Sequence, residues 1–307
     1  MITLRAECFG KLPAHGDFIR HHAGPELLEL DQWLQAGLLA VRDRPDRAAA
    51  WPATPPLRFV RRGPGGRLLA GVLVASRDAA GRDYPFVIAA PVEGREVAQR
   101  PELTPLVVEP FLAAAEAVAT RPWEGLDHRA VTAEVDRLVG EVDPRAAEQR
   151  LALLLATATL EALLASGDAP PAAAPLLLDN AATLLGPRAR PRFVLALPGA
   201  IDADHVAVWL AFVATLRGDA SRFPPLVTWS TDPRGAAAGL RLVLVEPAGE
   251  HFVPLALRHL PSDACDLARE GLDSAGLMQK ARERVGALVD GPRTVADLAP
   301  RLAALAR

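Results

Sequence analysis

Apolar and polar residues alternate at the start of the chain. Ile2, Leu4, Ala6 and Cys8 fall between Thr3, Arg5 and Glu7, which predicts a strand with one buried face over Ile2 to Cys8. Further on, Leu27, Leu30, Leu34, Leu38 and Val41 recur at three- and four-residue steps with Trp33 and Gly37 beside them, the spacing of an amphipathic helix. Between the two lies Phe9 to Arg20, which has neither period. Pro13 cannot donate to a sheet ladder and Gly16 permits a positive φ, so this stretch reads as a shaped turn carrying Lys11, His15, Asp17 and Arg20.

Strands are predicted at Leu57 to Val60, Leu68 to Ala75 and Tyr84 to Val92, an antiparallel meander. Its first turn is Gly63-Pro64-Gly65-Gly66 and its second is the polar run Ser76 to Asp83. The middle strand is apolar almost throughout, as in a sheet covered on both faces. Helices are predicted at Val107 to Thr120, with Pro110 in its first turn, at Asp127 to Val142, and at Pro144 to Ala165 with Asp143 as cap. Ser166 to Pro175, rich in alanine and proline, reads as a linker or a loop. Beyond it come strands at Arg192 to Leu197, ending at Pro198-Gly199, at Leu226 to Ser230 and at Leu240 to Val245, with a further candidate at Phe252 to Leu257. Thr231 to Gly235 reads as a turn. A helix at Asp202 to Leu216 carries Val206, Trp209, Leu210 and Val213 on one side. From Ser262 the pattern is helical to the end, with a break at Asp290-Gly291-Pro292. Helices interleaved with strands and hairpins predict an α/β fold, a layered α/β/α sandwich with a mixed, largely antiparallel sheet. Residues 1–307 are read as a single domain, with 262–307 as its C-terminal helical extension.

Composition narrows the function classes. A formal net charge of -3 over 307 residues offers no electrostatic footprint for nucleic acid or anionic lipid. The two cysteines, Cys8 and Cys265, are too few for a disulfide framework and lack metal-ligand spacing, which suits a reducing compartment. The N-terminus carries Arg5 and Glu7 where a secretory signal would be apolar, and the longest apolar run, Leu151 to Ala165, is too short and too polar to span a bilayer. These features predict a cytoplasmic protein.

Complete catalytic constellations are missing from the sequence. Gly10-Lys11 lacks the upstream glycine of a phosphate loop, and Leu12 occupies its Ser/Thr position. Ser76 and Ser230 have no nucleophile elbow. His15, Asp17, His21 and His22 are the densest set of metal-ligand types, but adjacent His21 and His22 are expected to point apart, so neither a metal nor another cofactor is expected. Asp17, Asp78 and Asp83 read as turn-capping residues, and Trp33, Trp209 and Trp229 as core or interface aromatics.

Three ordered blocks resemble a known family. They are Gly10-Lys11-Leu12-Pro13-Ala14-x-Gly16-Asp17-Phe18-Ile19-Arg20, then Asp31-x-Trp33-Leu34-Gln35-x-Gly37-Leu38, then Ala70-Gly71-Val72-Leu73 with Ser76-x-Asp78-x-x-Gly81-Arg82-x-Tyr84-Pro85-Phe86. Together they are similar to the TagF (ImpM) family of type VI secretion accessory proteins. The resemblance is firm from Cys8 to Ala90 and weaker from Phe193 to Val245, and the helices after Pro261 lie outside it. His15 stands where the family often has arginine. The resemblance implies an α/β/α sandwich and a cytoplasmic, non-enzymatic, post-translational repressor that acts with the forkhead-associated scaffold Fha. Homodimerisation is left open.

The residues expected to bind the partner or brace the loops are Lys11, Asp17, Arg20, Trp33, Ser76, Asp78 and Arg82, with Asp17, Arg20, Asp78 and Arg82 forming a salt-bridged cluster. Two rival readings use the same corner. One is hydrolase-like chemistry by His15, Asp17 and Asp78. The other is a small-anion sensor built from Lys11, Arg20 and Arg82.

Overall fold

Alternation along the meander builds the sheet. In the computed structural model, which describes residues 1–63, 66–123, 125–166, 169–186, 189, 194–197, 202–218, 223–231, 239–252, 264–290 and 293–306, strands β1 (Ile2–Arg5), β2 (Glu7–Gly10) and β3 (Ile19–His21) come first. Helices α1 (Pro25–Val41) and α2 (Arg47–Ala50) lead to β4 (Leu57–Arg62), β5 (Leu68–Val74) and β6 (Phe86–Val92). Next are α3 (Arg95–Gln99), α4 (Thr104–Ala119), α5 (His128–Asp136), β7 (Val139–Val142), α6 (Pro144–Thr157), α7 (Leu160–Ser166) and α8 (Ala174–Leu185). The remainder is β8 (Val194–Leu197), α9 (Ala203–Arg217), β9 (Leu226–Trp229), β10 (Leu240–Val243), β11 (Cys265–Asp266), α10 (Ala275–Val289) and α11 (Val295–Leu305).

Among the described residues nine strands form one sheet in the order β11-β8-β10-β9-β4-β5-β6-β2-β3, so strands from both halves of the chain share it. Every neighbouring pair is antiparallel except β11 with β8, which makes the sheet mixed and largely antiparallel. Along β5, Leu68, Ala70 and Val72 enter one core, with α4, while Leu69 and Leu73 enter the other, with α1. Both faces of the sheet are therefore covered, and the fold is α/β.

On the α1 side, Leu27, Leu30, Trp33 and Leu34 meet Phe9, Phe59 and Val87, and Phe252 wedges between Trp33 and Trp51. Gly37 makes room for that ring, since a Cβ there would stand 2.4 Å from the Cβ of Phe252. On the other side α4 contacts β4, β5 and β6, and α9 packs on α4, α6, α8 and α11. Helix α9 buries residues on every side, including Val206, Ala207, Val208, Trp209 and Leu210, and not the single stripe that its spacing suggests. A second tier of helices outside α4 accounts for the difference.

Several expected elements change. The first strand is two, split at Ala6, whose N–H bonds the Leu138 carbonyl: β1 pairs with β7 in a separate two-stranded sheet, and β2 joins the large one. The helix expected over Asp127 to Val142 stops at Asp136, because Val139 to Val142 pair with β1. Helix α4 starts at Thr104, which puts Pro110 inside it and not in its first turn, where it leaves the Leu106 carbonyl without its helical donor. The helix from Pro144 breaks at Ala158, and the alanine-proline stretch before α8 is partly core, with Ala173 and Ala174 buried. The run after Ser262 includes the short strand β11, and Phe252 belongs to a 3-10 turn, Gly249–Phe252. Expectations for Pro64-Gly65, Arg192-Phe193, Pro198-Gly199, Asp232 to Gly235, residues 253–257 and Gly291-Pro292 fall outside the described residues. Among the described residues no helix is long and apolar enough to cross a membrane.

Candidate functional site

Strand pairing places the two polar corners together. Gly10, the last residue of β2, is opposite Phe86, the first of β6, so the turn leaving β2 and the turn entering β6 lie at the same end of the sheet. Two bonds to main-chain carbonyls join them: the Ala79 N–H donates to the His15 carbonyl at 2.9 Å, and the Arg82 guanidinium to the Gly16 carbonyl at 3.1 Å.

Asp78 is the centre of this junction. Its buried carboxylate takes four donors, the N–H groups of Ala80 (3.0 Å) and Arg82 (2.8 Å) on Oδ1, and Lys11 Nζ (3.0 Å) and Arg82 Nε (2.6 Å) on Oδ2. Gly81 closes the turn at φ +78. Burial works against the charge, yet the Arg82 backbone bond and the Lys11 and Arg82 side chains outweigh it and hold the carboxyl well below the usual carboxylate range. A group so held contributes stability above the unfolded value of 3.8 and loses it as pH falls towards its lower folded value. Asp78→Asn is therefore expected to be less stable at neutral pH and to lose less on acidification below about pH 4. Urea unfolding midpoints across that range measure this, and parallel curves for the variant and the parent would contradict it.

A second buried carboxylate, Asp31 of α1, takes part of the cluster expected around Asp78. Its Oδ2 accepts from Arg20 at 2.9 Å, and its Oδ1 accepts a short bond from the Tyr84 hydroxyl. Burial first, and then Asp31, hold the Tyr84 phenol protonated, with its pKa well above the usual value. Phe9, Phe18 and Tyr84 form an aromatic group next to this pair, with Phe18 and Tyr84 5.2 Å apart edge to face, and the Arg20 guanidinium lies 5.5 Å from the Phe18 ring.

The expected four-residue cluster is thus two. Arg20 pairs with Asp31 and not with Asp78, while Asp17 is exposed and joins neither; it makes no hydrogen bond or ion pair among the described residues. Trp33 is a core residue whose Nε1 donates to the Ala248 carbonyl at 2.7 Å. Ser76 contributes its carbonyl, which accepts from Trp51 Nε1 and the Tyr84 N–H. Arg47 of α2 and Arg77 both reach Asp83, bracing the second turn from outside. Asp31 was legible as a lone charge on the apolar stripe, four residues after Leu27 and three before Leu34, and such a position requires a buried partner.

The histidines also separate. His15 stays at the corner, whereas His21 and His22 do not point apart: both Nε2 atoms approach Asp136 Oδ1, at 2.7 and 3.1 Å. His22 has φ +52, an uncommon conformation for a side-chain-bearing residue, and this turns its ring to within 3.8 Å of the His21 ring, centre to centre. The Asp136 carboxyl lies below its ordinary range, chiefly through the His21 hydrogen bond.

Comparison with known proteins agrees with the motif reading. Residues 7–138 match the TagF N-terminal domain, described as type VI secretion system-associated. A solved structure, PA0076 from Pseudomonas aeruginosa PAO1, is 23% identical, with the match covering 43% of this chain and 62% of that one at a TM-score of 0.36. No curated protein matches the chain. Both corners, helix α1 and the histidine pair lie inside residues 7–138, the span that matches the type VI secretion system-associated TagF N-terminal domain.

Proposed function

We propose that the protein is a cytoplasmic, non-enzymatic accessory of type VI secretion that acts after translation, as a repressor, by binding the forkhead-associated scaffold Fha. The observation that carries this reading is the saturated Asp78 carboxylate. With four donors on its two oxygens, it joins the two corners into one ledge without leaving an oxygen free for acid-base work. Asp17 and Arg77 are exposed on that ledge, as is the part of Arg82 not turned onto Asp78, with Arg20 half-exposed beside it. A surface ordered in advance loses little entropy on docking, which suits protein recognition.

The rival readings have less support. Hydrolase-like chemistry needs Asp17 and His15 paired with Asp78, and among the described residues Asp17 is exposed and hydrogen-bonds to neither. An anion sensor needs unneutralised cations, but Lys11 and Arg82 already face Asp78, and Arg20 faces Asp31.

Asp17→Arg is the cleanest probe, because that side chain braces nothing among the described residues. Capture of the purified scaffold is expected to fall by about fivefold to tenfold while the melting curve stays in place. Full capture by Asp17→Arg, and also by the Asp17→Arg/Arg82→Ala double variant, would show that Fha does not read this ledge.

A further inference from the structure

The pair of histidines outside the two corners has no part in the docking reading. The geometry points to a binding site for one divalent transition-metal ion, of the zinc, nickel, cobalt or copper class, on His21, His22 and Asp136. The ligand atoms of these three residues lie within 4.8 Å of one another. Nε2 of His21 and of His22 stand 2.7 and 3.1 Å from the same Asp136 oxygen. Around a tetrahedral ion with bonds near 2 Å, neighbouring ligand atoms are about 3.3 Å apart, so the two nitrogens would draw back from that oxygen by about 0.6 and 0.2 Å to share an ion with it.

Three features favour a metal over a plain hydrogen-bonded clasp. The first is backbone conformation. The left-handed φ of His22 carries a cost of about 1 kcal/mol or more, and it is what turns two successive imidazoles to one point. The second is placement, since His21 ends the edge strand β3 and Asp136 ends α5, so an ion would tie together elements 115 residues apart in sequence. The third is charge. Glu7 on the neighbouring strand, half-buried and accepting the Gly24 N–H at 2.8 Å, interacts electrostatically with His22 and adds negative potential.

Two imidazoles and one carboxylate select borderline transition metals over calcium or magnesium, which prefer all-oxygen shells. The side chains of His22 and Asp136 are 62% and 51% exposed, which leaves the fourth position open to water or to a donor from another protein. Cys8 pairs with His21 across β2 and β3 but is no ligand. Its thiol is buried and is pushed up to about 12, by burial first and then by the Asp136 charge.

The test is zinc titration of the full chain, stripped by chelator, in competition with a chromophoric chelator, with cobalt absorption as a second readout of tetrahedral nitrogen and oxygen ligation. One ion per chain is expected. His21→Ala, His22→Gly and Asp136→Asn should each weaken binding by about tenfold or more, and His15→Ala should leave it unchanged. His22→Gly is the variant to rely on, because glycine takes the positive φ freely and removes the imidazole without disturbing the backbone. Absence of binding at millimolar zinc, or binding that survives His21→Ala and His22→Gly together in a chain that melts normally, would overturn the assignment.

Discussion

Replacing Gly10 by alanine is expected to cost about 3–5 kcal/mol, enough to leave much of the protein unfolded or insoluble. Gly10 has φ +132, a region open to glycine and strained for any other residue. A Cβ there would lie 2.1 Å from the Pro85 carbonyl oxygen, 2.7 Å from the Phe86 Cα and 2.9 Å from the Pro85 carbonyl carbon. All three are main-chain atoms at the entry to the neighbouring strand, so no side chain can swing aside, and relief requires β2 and β6 to separate at Gly10 and Phe86. That is the end of the sheet from which both corners emerge. Residual folded protein should therefore also be cut faster by protease within residues 11–18. Gly16→Ala is the control, since nothing lies within 4 Å of a Cβ there, and it should change stability by less than about 1 kcal/mol. Urea denaturation of the two variants beside the parent decides the matter. A Gly10→Ala midpoint close to that of Gly16→Ala would show that β6 yields easily, and the corners would lose their rigid base.

The elements readable in the sequence are those whose pattern is local. Helix α1 declares itself by its leucine spacing, and the meander β4-β5-β6 by apolar runs between polar turns. What stayed hidden depends on a partner far along the chain. Val139 to Val142 continue a helical spacing from Val131 and Val135, and only pairing with Ile2 to Arg5 makes them a strand. The split at Ala6 is invisible for the same reason, because both pieces alternate in phase but belong to different sheets. Helix α8 follows a run of prolines and alanines whose composition resembles a linker, and it becomes core only when α9 and α10 cover it.

The candidate site divides in the same way. Lys11, Asp78 and Arg82 meet because the register of β2 and β6 brings their turns together, and the strand-end positions of those turns already suggested it. The partner of Arg20 could not be read from spacing, since Asp17 is nearer in sequence while Asp31 is on a helix that folds back over the sheet. His21 and His22 converge through one unusual backbone angle, which no side-chain pattern encodes.

Asp31→Ala is expected to cost about 2–3 kcal/mol, the second largest effect among the site residues. Asp31 is 3% exposed and holds three elements at once: α1 through its own backbone, β3 through Arg20, and the entry to β6 through Tyr84. The loss is not the full value of a buried ion pair, for two reasons. The Arg20 side chain is half exposed and turns to water when its partner goes, so its share is small. The Tyr84 hydroxyl keeps a weaker acceptor, the Asp31 main-chain carbonyl at 3.3 Å, in any variant. What remains is the charge-assisted phenol bond in a dry setting, and a double-mutant cycle isolates it. Tyr84→Phe alone should cost about 1–1.5 kcal/mol, and the two changes together should cost less than their sum by about 1 kcal/mol. Asp31→Asn, whose amide oxygen can still accept from the phenol, should fall between the parent and Asp31→Ala. If the cycle is additive, Tyr84 and Asp31 act independently, and the tie between the first helix and the second corner is packing alone. If it is coupled as expected, freeing Arg20 in Asp31→Ala also loosens β3 at the sheet edge, and hydrogen exchange at Ile19 to His21 should rise together with the loss of stability.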